Sequence, residues 1–392
     1  MAAASAIGRW MPSAERLLCD LVREPTEGPG PALDRAIGHL VEALEQVGVG
    51  AAVEQTSAGL PMVRAVVGDD RRGPSVLFQG HLDVVPPGQG WTVDPYAARV
   101  VDGVVWGRGT CDMKGGLVAS VLAIAVSLEL GGPPLRTELL VSPDEESGSD
   151  RGLLPYLEEV GVAPHDIAVC AEPTGGKPFL GNRGLVWMTV RLRGAAAHAG
   201  IPSAGRNPVP ALADLIRSLP RPVADVPEGI APPSLTPTLT SGSDAINVIP
   251  AVATLGLDRR LVPGEDPQAA IAEVDRAVRE VTARHDGIEG ELEVLKIWPP
   301  CSVEADDPYA MAALEAARSV RSDAAFGFDD AANDASFLSA AGTPTLVWGP
   351  GAPEFAHAAD ERIALDEIAA VATMYLAAIE RWSELEPRGG RP

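Results

Sequence analysis

The stretch from Trp106 to Gly116, WGRGTCDMKGG, strongly constrains how this chain can fold. An apolar run typical of a strand, VVDGVVW, leads into it, and an apolar run typical of a helix, LVASVLAIAVSL, leads out of it. Glycine permits positive φ angles and close approach of neighbouring groups. We therefore predict a strand-to-helix turn that presents Asp112 at the beginning of a helix. From this stretch alone, Asp112 is either a simple helix cap or a residue with a chemical role.

Strand-like and helix-like segments alternate on both sides of this turn. Strands are predicted at MVRAVVG, SVLFQG, ELLVSPDEESGS, DIAVCAEPT and TPTLVWG, and a short hairpin at Asp102-Gly103. Helices are predicted within 12–47, over 150–159, over 308–319 and over 366–382. This alternation predicts an α/β layer with a largely parallel sheet. In such sheets, ligands bind beyond the carboxyl ends of the strands.

The pattern changes near residue 184. LVWMTVRLRG alternates like a half-exposed strand, and it is followed by a helix at NPVPALADLIRSL, strands at SLTPTLT and AVATLGLDRRLV, a helix over about 267–284 and a strand at ELEVLKIW. This β-α-β-β-α-β order is that of a ferredoxin-like α+β domain. We predict a discontinuous α/β domain, residues 1–183 and 297–392, with a smaller domain, residues 184–296, inserted into it.

Composition excludes some classes of partner. The chain has 392 residues, enough for more than one domain, and a net charge of -23. Because nucleic acid and anionic membranes bind basic surfaces, neither is expected as a partner. The longest apolar run is too short to span a bilayer, and the N-terminus lacks the pattern of a signal peptide. Four scattered cysteines without a CxxC pair predict reduced thiols and a cytoplasmic location.

Histidines and carboxylates follow the predicted strands at five places. These residues are His81 and Asp83, Asp112, Glu145 and Glu146, Glu172, and His357. Each one taken singly is more often an ordinary loop residue. Together, however, histidine nitrogens and carboxylate oxygens at one edge of a sheet are typical ligands of a borderline-hard metal. The sequence therefore predicts a metal site at this edge.

The order of the motifs HLD, GRGTCDMKGG, DEESGS, AEPT, GAAAHAGIP, NVIP, DRRLVPGED and AHAADE resembles the M20 family of metallo-aminoacylases and carboxypeptidases. The resemblance extends over nearly the whole chain. It implies an α/β fold with a phosphorylase/hydrolase-like zinc-peptidase catalytic domain and an inserted ferredoxin-like lid or dimerisation domain. It also implies two divalent metal ions, most readily Zn²⁺, with Co²⁺ or Mn²⁺ as alternatives.

The resemblance also implies individual roles around the metals. The implied ligands are His81, Asp112 and Glu172 for the first ion, and Asp112, Glu146 and His357 for the second. Asp112 would bridge the two ions, and Asp83 would fix the ring of His81. Glu145 would act as general base, taking a proton from a water and passing it to the leaving amine.

Other residues are implied to contact the substrate. His198 would stabilise the oxyanion, from the partner subunit in dimeric family members. Asn247 and an arginine of DRRLVPG would bind the substrate, and the Asp-x-Arg spacing favours Arg260 over Arg259. Gly349-Pro350-Gly351 resembles a loop that holds a substrate carboxylate through backbone N–H groups.

Two positions depart from the common family pattern. Cys111 stands where a small residue is more usual, so we expect the metal site to be sensitive to oxidation and thiol reagents. FGFDDAANDASFL stands where many members have a Gly-rich loop with Thr or Ser before an Asp. Asn333 and Asp334 match the end of that loop, which is a substrate-binding region in the family.

These features predict a metal-dependent amidohydrolase. We expect hydrolysis of an amide bond in an N-acyl amino acid, of the deacetylase or desuccinylase type. The alternative is a metallo-carboxypeptidase or dipeptidase that releases a C-terminal amino acid such as glutamate. A homodimer through the inserted domain is also expected. A non-catalytic protein on the same fold is disfavoured, because all five ligands and Glu145 are present.

Overall fold

A computed structural model describes residues 2–68, 73–162, 164–226 and 229–388. The chain divides into two compact units. The first comprises Met1–Gly181, Ser302–Asp329 and Asn333–Pro392, and the second comprises Asn182–Cys301 and Asp330–Ala332. Each unit has its own hydrophobic core.

The elements follow one another in three groups. The first group is α1 (Ala2–Arg23), α2 (Pro31–Gln46), β1 (Ala51–Gln55), β2 (Pro61–Val67), β3 (Ser75–His81), β4 (Arg99–Val101), β5 (Val104–Trp106), α3 (Gly115–Glu129), β6 (Arg136–Ser142), α4 (Leu153–Glu159), β7 (Ile167–Cys170) and β8 (Phe179–Asn182). The second is β9 (Gly184–Arg193), β10 (Ala197–His198), α5 (Pro208–Ser218), β11 (Ser234–Ser241), β12 (Val248–Ile249), β13 (Val252–Leu261), α6 (Pro267–Thr282) and β14 (Glu289–Trp298). The third is β15 (Cys301–Ser302), α7 (Pro308–Val320), β16 (Gly327–Asp329), α8 (Ala335–Ala340), β17 (Thr345–Val347), β18 (Arg362–Ala364) and α9 (Leu365–Trp382).

The large sheet is mixed, so the prediction of a largely parallel sheet is correct only for its centre. The strand order is β1-β2-β6-β3-β7-β17-β8-β15, with β16 paired to β8. The pairs β6–β3, β3–β7 and β7–β17 are parallel, whereas β1–β2, β2–β6 and β17–β8 are antiparallel. The short turn between β1 and β2 permits only antiparallel pairing. The parallel centre brings the carboxyl ends of β3, β6, β7 and β17 to one edge.

Three helices begin at an Asn-Pro or Asp-Pro pair. The side chains of Asn207, Asp266 and Asp307 each accept a backbone N–H from the first turn, at 2.9–3.1 Å. Proline at the first helical position loses nothing, because its missing N–H would have no partner within the helix. These caps fix where α5, α6 and α7 begin.

Helix α3 is the core helix that the sequence predicted. All residues from Gly115 to Ser127 are buried. The expectation that this apolar run is too short to cross a membrane is wrong, because by length and composition the segment Thr110–Glu129 could do so. However, 89% of its most apolar window is buried inside the chain. A Cβ at Gly116 would overlap the carbonyl oxygen of Ala171, so glycine lets α3 approach the strand-end loop after β7.

The second unit contains a four-stranded antiparallel sheet in the order β11-β13-β9-β14. Alternate residues of β9 and β13 point into a core that α5 and α6 complete. The order of its main elements is strand-helix-strand-strand-helix-strand, as the sequence analysis expected. A short pair, β10 with β12, lies outside this sheet.

Candidate metal centre

The candidate ligands lie on the turns that follow the strands. His81 is the last residue of β3, and Asp112 lies in the turn between β5 and α3. Glu146 lies in the turn after β6, Glu172 in the loop after β7, and His357 in the loop after β17. Ligand atoms of His81, Asp112 and Glu172 lie within 4.8 Å of one another, and so do those of Asp112, Glu146 and His357. Asp112 belongs to both groups.

The two carboxylate oxygens of Asp112 point to different histidines. Oδ1 is 3.4 Å from Nε2 of His81, and Oδ2 is 3.2 Å from Nε2 of His357. On the first side, Oε1 of Glu172 is 3.6 Å from Nε2 of His81. On the second side, the carboxylate of Glu146 is 3.0 Å from Nε2 of His357. This division is the geometry that a bridging ligand of two cations needs.

The donor set suits divalent cations. His81 is completely buried, and its Nε2 has no hydrogen-bond partner among the described residues. A buried polar atom without a partner is costly, and a metal ion would satisfy it. One imidazole with two carboxylates on each side matches the ligand chemistry of zinc.

The negative charge of the site also favours the binding of divalent cations. Four carboxylates crowd the site: those of Asp112, Glu145, Glu146 and Glu172. Burial, together with neighbouring carboxylates, raises the pKa of Glu145 and Glu146, and raises that of Glu172 to about 8. Burial would also raise the pKa of Asp112, but the nearby rings of His357 and His81 lower it. Two divalent cations carry four positive charges, which would balance the four carboxylates.

The histidines are tuned by these carboxylates. Hydrogen bonds with Asp112 and Glu146 raise the pKa of His357 to about 10. Burial lowers the pKa of His81, but Asp112, Asp83 and Glu172 raise it further, so it lies well above its ordinary value. Metal ligation requires neutral imidazole, so cation binding must release protons here and must weaken at low pH.

Asp83 contacts both His81 and the turn of Glu145 and Glu146. Its Oδ1 and Oδ2 accept the backbone N–H groups of Glu145 and Glu146, at 3.1 and 2.9 Å. Its carbonyl oxygen is 2.9 Å from Nδ1 of His81, nearer than its carboxylate at 3.5 Å. Asp83 therefore orients the His81 ring mainly through its backbone, while its carboxylate fixes the turn that carries both glutamates.

Glu145 belongs to neither ligand group. Its side chain is nearly buried, and its Oε2 lies 3.9 Å from Nε2 of His81. A carboxylate beside the cluster but outside the ligand sets is free to exchange protons with a water bound there.

Asn333 and Asp334, which match the end of the loop expected to bind substrate, both have buried side chains. Asp334 accepts hydrogen bonds from Gln79 at 2.6 Å, from Ser142 at 2.9 Å and from Ser149. These contacts join β3, the end of β6 and the turn that carries Glu145. Asp334 therefore stabilises that turn from behind.

The surroundings of Cys111 argue against the expected sensitivity of the site to thiol reagents. Its side chain is completely buried, and its Sγ donates a hydrogen bond to the carbonyl of Ala352 at 3.3 Å. Burial raises the pKa of the thiol far above its ordinary value, so the reactive thiolate is suppressed. A Cβ at Gly351 would lie 2.5 Å from this Sγ. Cys111 is thus a packing residue against the loop after β17.

Backbone groups of the Gly349–Gly351 loop make hydrogen bonds with the loop after β7. The N–H of Gly349 donates to Thr174 Oγ1 at 3.2 Å, and the carbonyl of Gly351 accepts from Gly175 at 2.7 Å. The N–H of Gly349 is therefore already used within the fold. This N–H is not available to the substrate carboxylate that the loop was predicted to bind.

The remaining predicted residues belong to the second unit, where His198 and Asn247 lie together. The carbonyl of Asn247 accepts the N–H of Ala199 at 2.9 Å, and Nδ1 of the exposed His198 accepts the N–H of Gly200 at 3.0 Å. Arg259 is buried in an ion pair with Glu265. Arg260 is accessible and pairs with Asp258 at 2.9 Å, so the structure favours Arg260 as the arginine available to a ligand.

Two residues of the centre were not distinguished by the sequence. Glu361 and Arg108 form a buried ion pair beside Asp112. Both residues stand inside quoted motifs, AHAADE and GRGTCDMKGG, but no local pattern separates them from exposed charges.

Known proteins are similar to this chain over most of its length. The family model described as peptidase family M20/M25/M40 matches residues 77–381. The chain is 30% identical to a succinyl-diaminopimelate desuccinylase of Rhodospirillum centenum, over 96% of the chain and 99% of that protein. It is 34% identical to the protein of the same name from Gluconacetobacter diazotrophicus, over 92% of the chain and 95% of that protein.

Solved structures share the fold at lower identity. An M20 family metallo-carboxypeptidase from Sulfolobus solfataricus aligns with a TM-score of 0.79 at 20% identity, covering 95% of this chain and 99% of that one. Human carnosine dipeptidase 1 aligns with a TM-score of 0.71 at 21% identity, covering 98% and 99% of the two chains. At these identities, the likeness establishes the fold alone.

Proposed function

The chain belongs to peptidase family M20/M25/M40, and we propose that this enzyme removes an acyl group, succinyl or acetyl first, from the amine of an amino acid. The observation that carries the proposal is the double histidine–carboxylate cluster that shares Asp112 and lies beside Glu145. The names of the relatives that match nearly the whole chain support a desuccinylase over other members of the class.

The cluster would hold two divalent ions, Zn²⁺ first and Co²⁺ or Mn²⁺ as alternatives. His81 and Glu172 would hold one, Glu146 and His357 the other, and Asp112 both. When bound, the ions would polarise the amide carbonyl and make a water at the centre more acidic.

Glu145 is the proposed general base. Burial and neighbouring carboxylates raise its pKa, which suits a group that must accept a proton and then release it. It would take the proton of the attacking water and deliver it to the amine nitrogen as the C–N bond breaks. Asp83 would keep Glu145 in place through the backbone N–H that it accepts.

The second unit would supply substrate contacts. Its element order supports a ferredoxin-like lid domain. His198 would donate to the developing oxyanion, and Asn247, the residue before β12, which pairs with the strand of His198, would bind the same region of the substrate. Arg260 would bind a substrate carboxylate, because a guanidinium can donate two parallel hydrogen bonds to it.

We also propose a homodimer through β11. This strand is at the edge of the second unit's sheet, and six of its eight residues are exposed, among them Leu239 at 73%. Pairing with β11 of a second copy would satisfy the free edge, which otherwise invites aggregation. Leu239→Asp should then shift sedimentation from dimer to monomer, and an active wild-type monomer would contradict a role for His198 across subunits.

The test of the activity is a panel of amides with the metal-loaded enzyme. The panel holds N-succinyl-diaminopimelate, N-acetylornithine, other N-acetyl and N-formyl amino acids, and dipeptides. We expect turnover of an acyl amino acid, abolished by chelation. Glu145→Gln should lower kcat by about 10²–10⁴-fold and should retain both metals. Dipeptide cleavage without any deacylation would instead establish the carboxypeptidase or dipeptidase alternative.

A further inference from the structure

A buried ion pair lies directly behind the candidate ligands. Glu361 immediately precedes β18, and Arg108 lies in the turn after β5; their side chains are 0% and 2% exposed. Nη1 of Arg108 donates to Oε2 of Glu361 at 2.6 Å. Because the pair is neutral, it leaves unchanged the balance between four carboxylates and two divalent ions.

The Glu361 carboxylate collects the backbone N–H groups of the glycine-rich turn. Oε2 accepts from Gly109 at 3.0 Å, and Oε1 accepts from Cys111 at 2.8 Å and from Asp112 at 3.0 Å. Gly109 has a φ of 84°, which helps the N–H groups converge into a concave anion site. The chain's own carboxylate fills this site and fixes the backbone from which the Asp112 side chain projects.

Arg108 also contacts the loop that carries His357. Its Nη2 donates to the carbonyls of Pro87, at 3.3 Å, and of His357, at 3.4 Å. His357 has a φ of 59°, a conformation that a residue with a side chain adopts only when its surroundings hold it there. One ion pair therefore contacts both the turn of Asp112 and the loop of His357.

We propose that Glu361 is a positioning residue for the whole metal centre, with Arg108 as its connection to His357. The proposal rests on the proposed metal-dependent function. Because Asp112 is shared, loss of Glu361 should weaken both metal positions together. Loss of His357 as a ligand, in His357→Ala, should remove only one of the two ions.

Glu361→Gln is a sharp test, because each carboxylate oxygen accepts from two donors. Oε1 faces the N–H groups of Cys111 and Asp112, and Oε2 faces Gly109 and Arg108. Whichever way the amide turns, its NH₂ group meets two donors. The variant thus keeps the shape of the side chain and disrupts its hydrogen bonding.

The measurement is metal affinity, which does not depend on turnover. Metal-free protein is titrated with Zn²⁺ against a competing chelator, bound metal is counted by elemental analysis, and Co²⁺-loaded protein is followed by its visible absorption. We expect Glu361→Gln to weaken both positions by about 10–100-fold and to alter the Co²⁺ spectrum.

Glu138→Gln is the matched control. Glu138 is also completely buried and ion-paired, but it lies on β6 with Arg64 and Arg136 as partners. This variant should lose stability and keep wild-type metal affinity. If Glu361→Gln binds both ions within about threefold of wild type, or if Glu138→Gln loses affinity equally, the proposal is overturned.

Arg108→Lys covers the case in which Glu361→Gln does not fold. It keeps the charge but cannot reach Glu361 and the His357 carbonyl together. We expect weaker binding of at least one ion, and unchanged affinity at both positions would refute the proposal. A wild type that binds two ions but cleaves no acyl amino acid would refute the proposed substrate and leave this test standing.

Discussion

The close approach of the Cys111 thiol to Gly351 accounts for the glycine at position 351. Gly351 has a φ of 91°, and a Cβ there would lie 2.5 Å from the Cys111 Sγ. Gly351→Ala therefore has two penalties: about 1–2 kcal/mol for the left-handed backbone and about 1–3 kcal/mol for overpacking. We expect the free energy of unfolding to fall by about 2–5 kcal/mol.

In a Gly351→Ala background, the substitution Cys111→Ala relieves the overpacking and leaves the backbone penalty unchanged. Alone, it loses the hydrogen bond to Ala352 and leaves a small cavity, at a cost of about 1–2 kcal/mol. In the Gly351→Ala background, the vacated space accommodates the new methyl group. The two substitutions should therefore be non-additive, with a favourable coupling of about 1–3 kcal/mol.

The assay compares thermal midpoints of the metal-free wild type, the two single variants and the double variant. The double variant should melt at a higher temperature than the sum of the two single shifts predicts. Gly342→Ala serves as the control, because Gly342 has a φ of 93° and its Cβ would meet no atom closer than 3.9 Å. If Gly351→Ala destabilises no more than Gly342→Ala, or if the shift of the double variant equals the sum of the two single shifts, the steric explanation fails.

Three further predictions concern other parts of the chain. All four cysteines are buried, so they should react with Ellman's reagent only on unfolding; rapid labelling with loss of activity would contradict this. Burial would raise the pKa of Glu138, but hydrogen bonds from His165 and Arg64 lower it, so its stabilisation is complete above about pH 4.3 and declines as the pH falls toward the lowered pKa. Glu138→Gln should flatten that acid-side slope in unfolding experiments, and an unchanged slope would refute the assignment. Asp334→Asn should fold, because Ser149 can reverse its hydroxyl to accept from the amide, whereas Asp334→Ala should lose about 3–4 kcal/mol in denaturant unfolding; equal stabilities would contradict the role of its three hydrogen bonds.

The sequence predicts residues that directly follow a strand better than residues that act across the fold. His81 ends β3, and Glu172 follows β7 by two positions, so the strand pattern alone places both at one edge. Glu361, in contrast, bonds to Cys111 across 250 positions, and Asp334 bonds to Ser142 across 192. Such contacts depend on how distant segments pack, and no local spacing encodes that.

The features that the sequence analysis did not predict have the same origin. Cys111 has a polar, glycine-rich neighbourhood, so its complete burial is not visible in the sequence. Asp334 stands among small and polar residues typical of an exposed loop, and only the packing of α8 against β17 and β7 reveals its burial. The mixed sheet was missed because strand-helix alternation describes only its centre.

The structure also shows why the ligand turns can be irregular and still hold their geometry. Backbone N–H groups in an irregular turn need partners, and here they find carboxylates from other segments. Asp83 accepts two of them in the Glu145–Glu146 turn, and Glu361 accepts three in the turn of Asp112. Each turn is thus fixed by negative charge placed behind the ligands. Glu361 is neutralised by Arg108, but the partners described for Asp83 are N–H groups and the ring of His81, so its charge adds to the field that favours cations. The same residues that fix the geometry would therefore strengthen metal binding, and removing one should reduce both together.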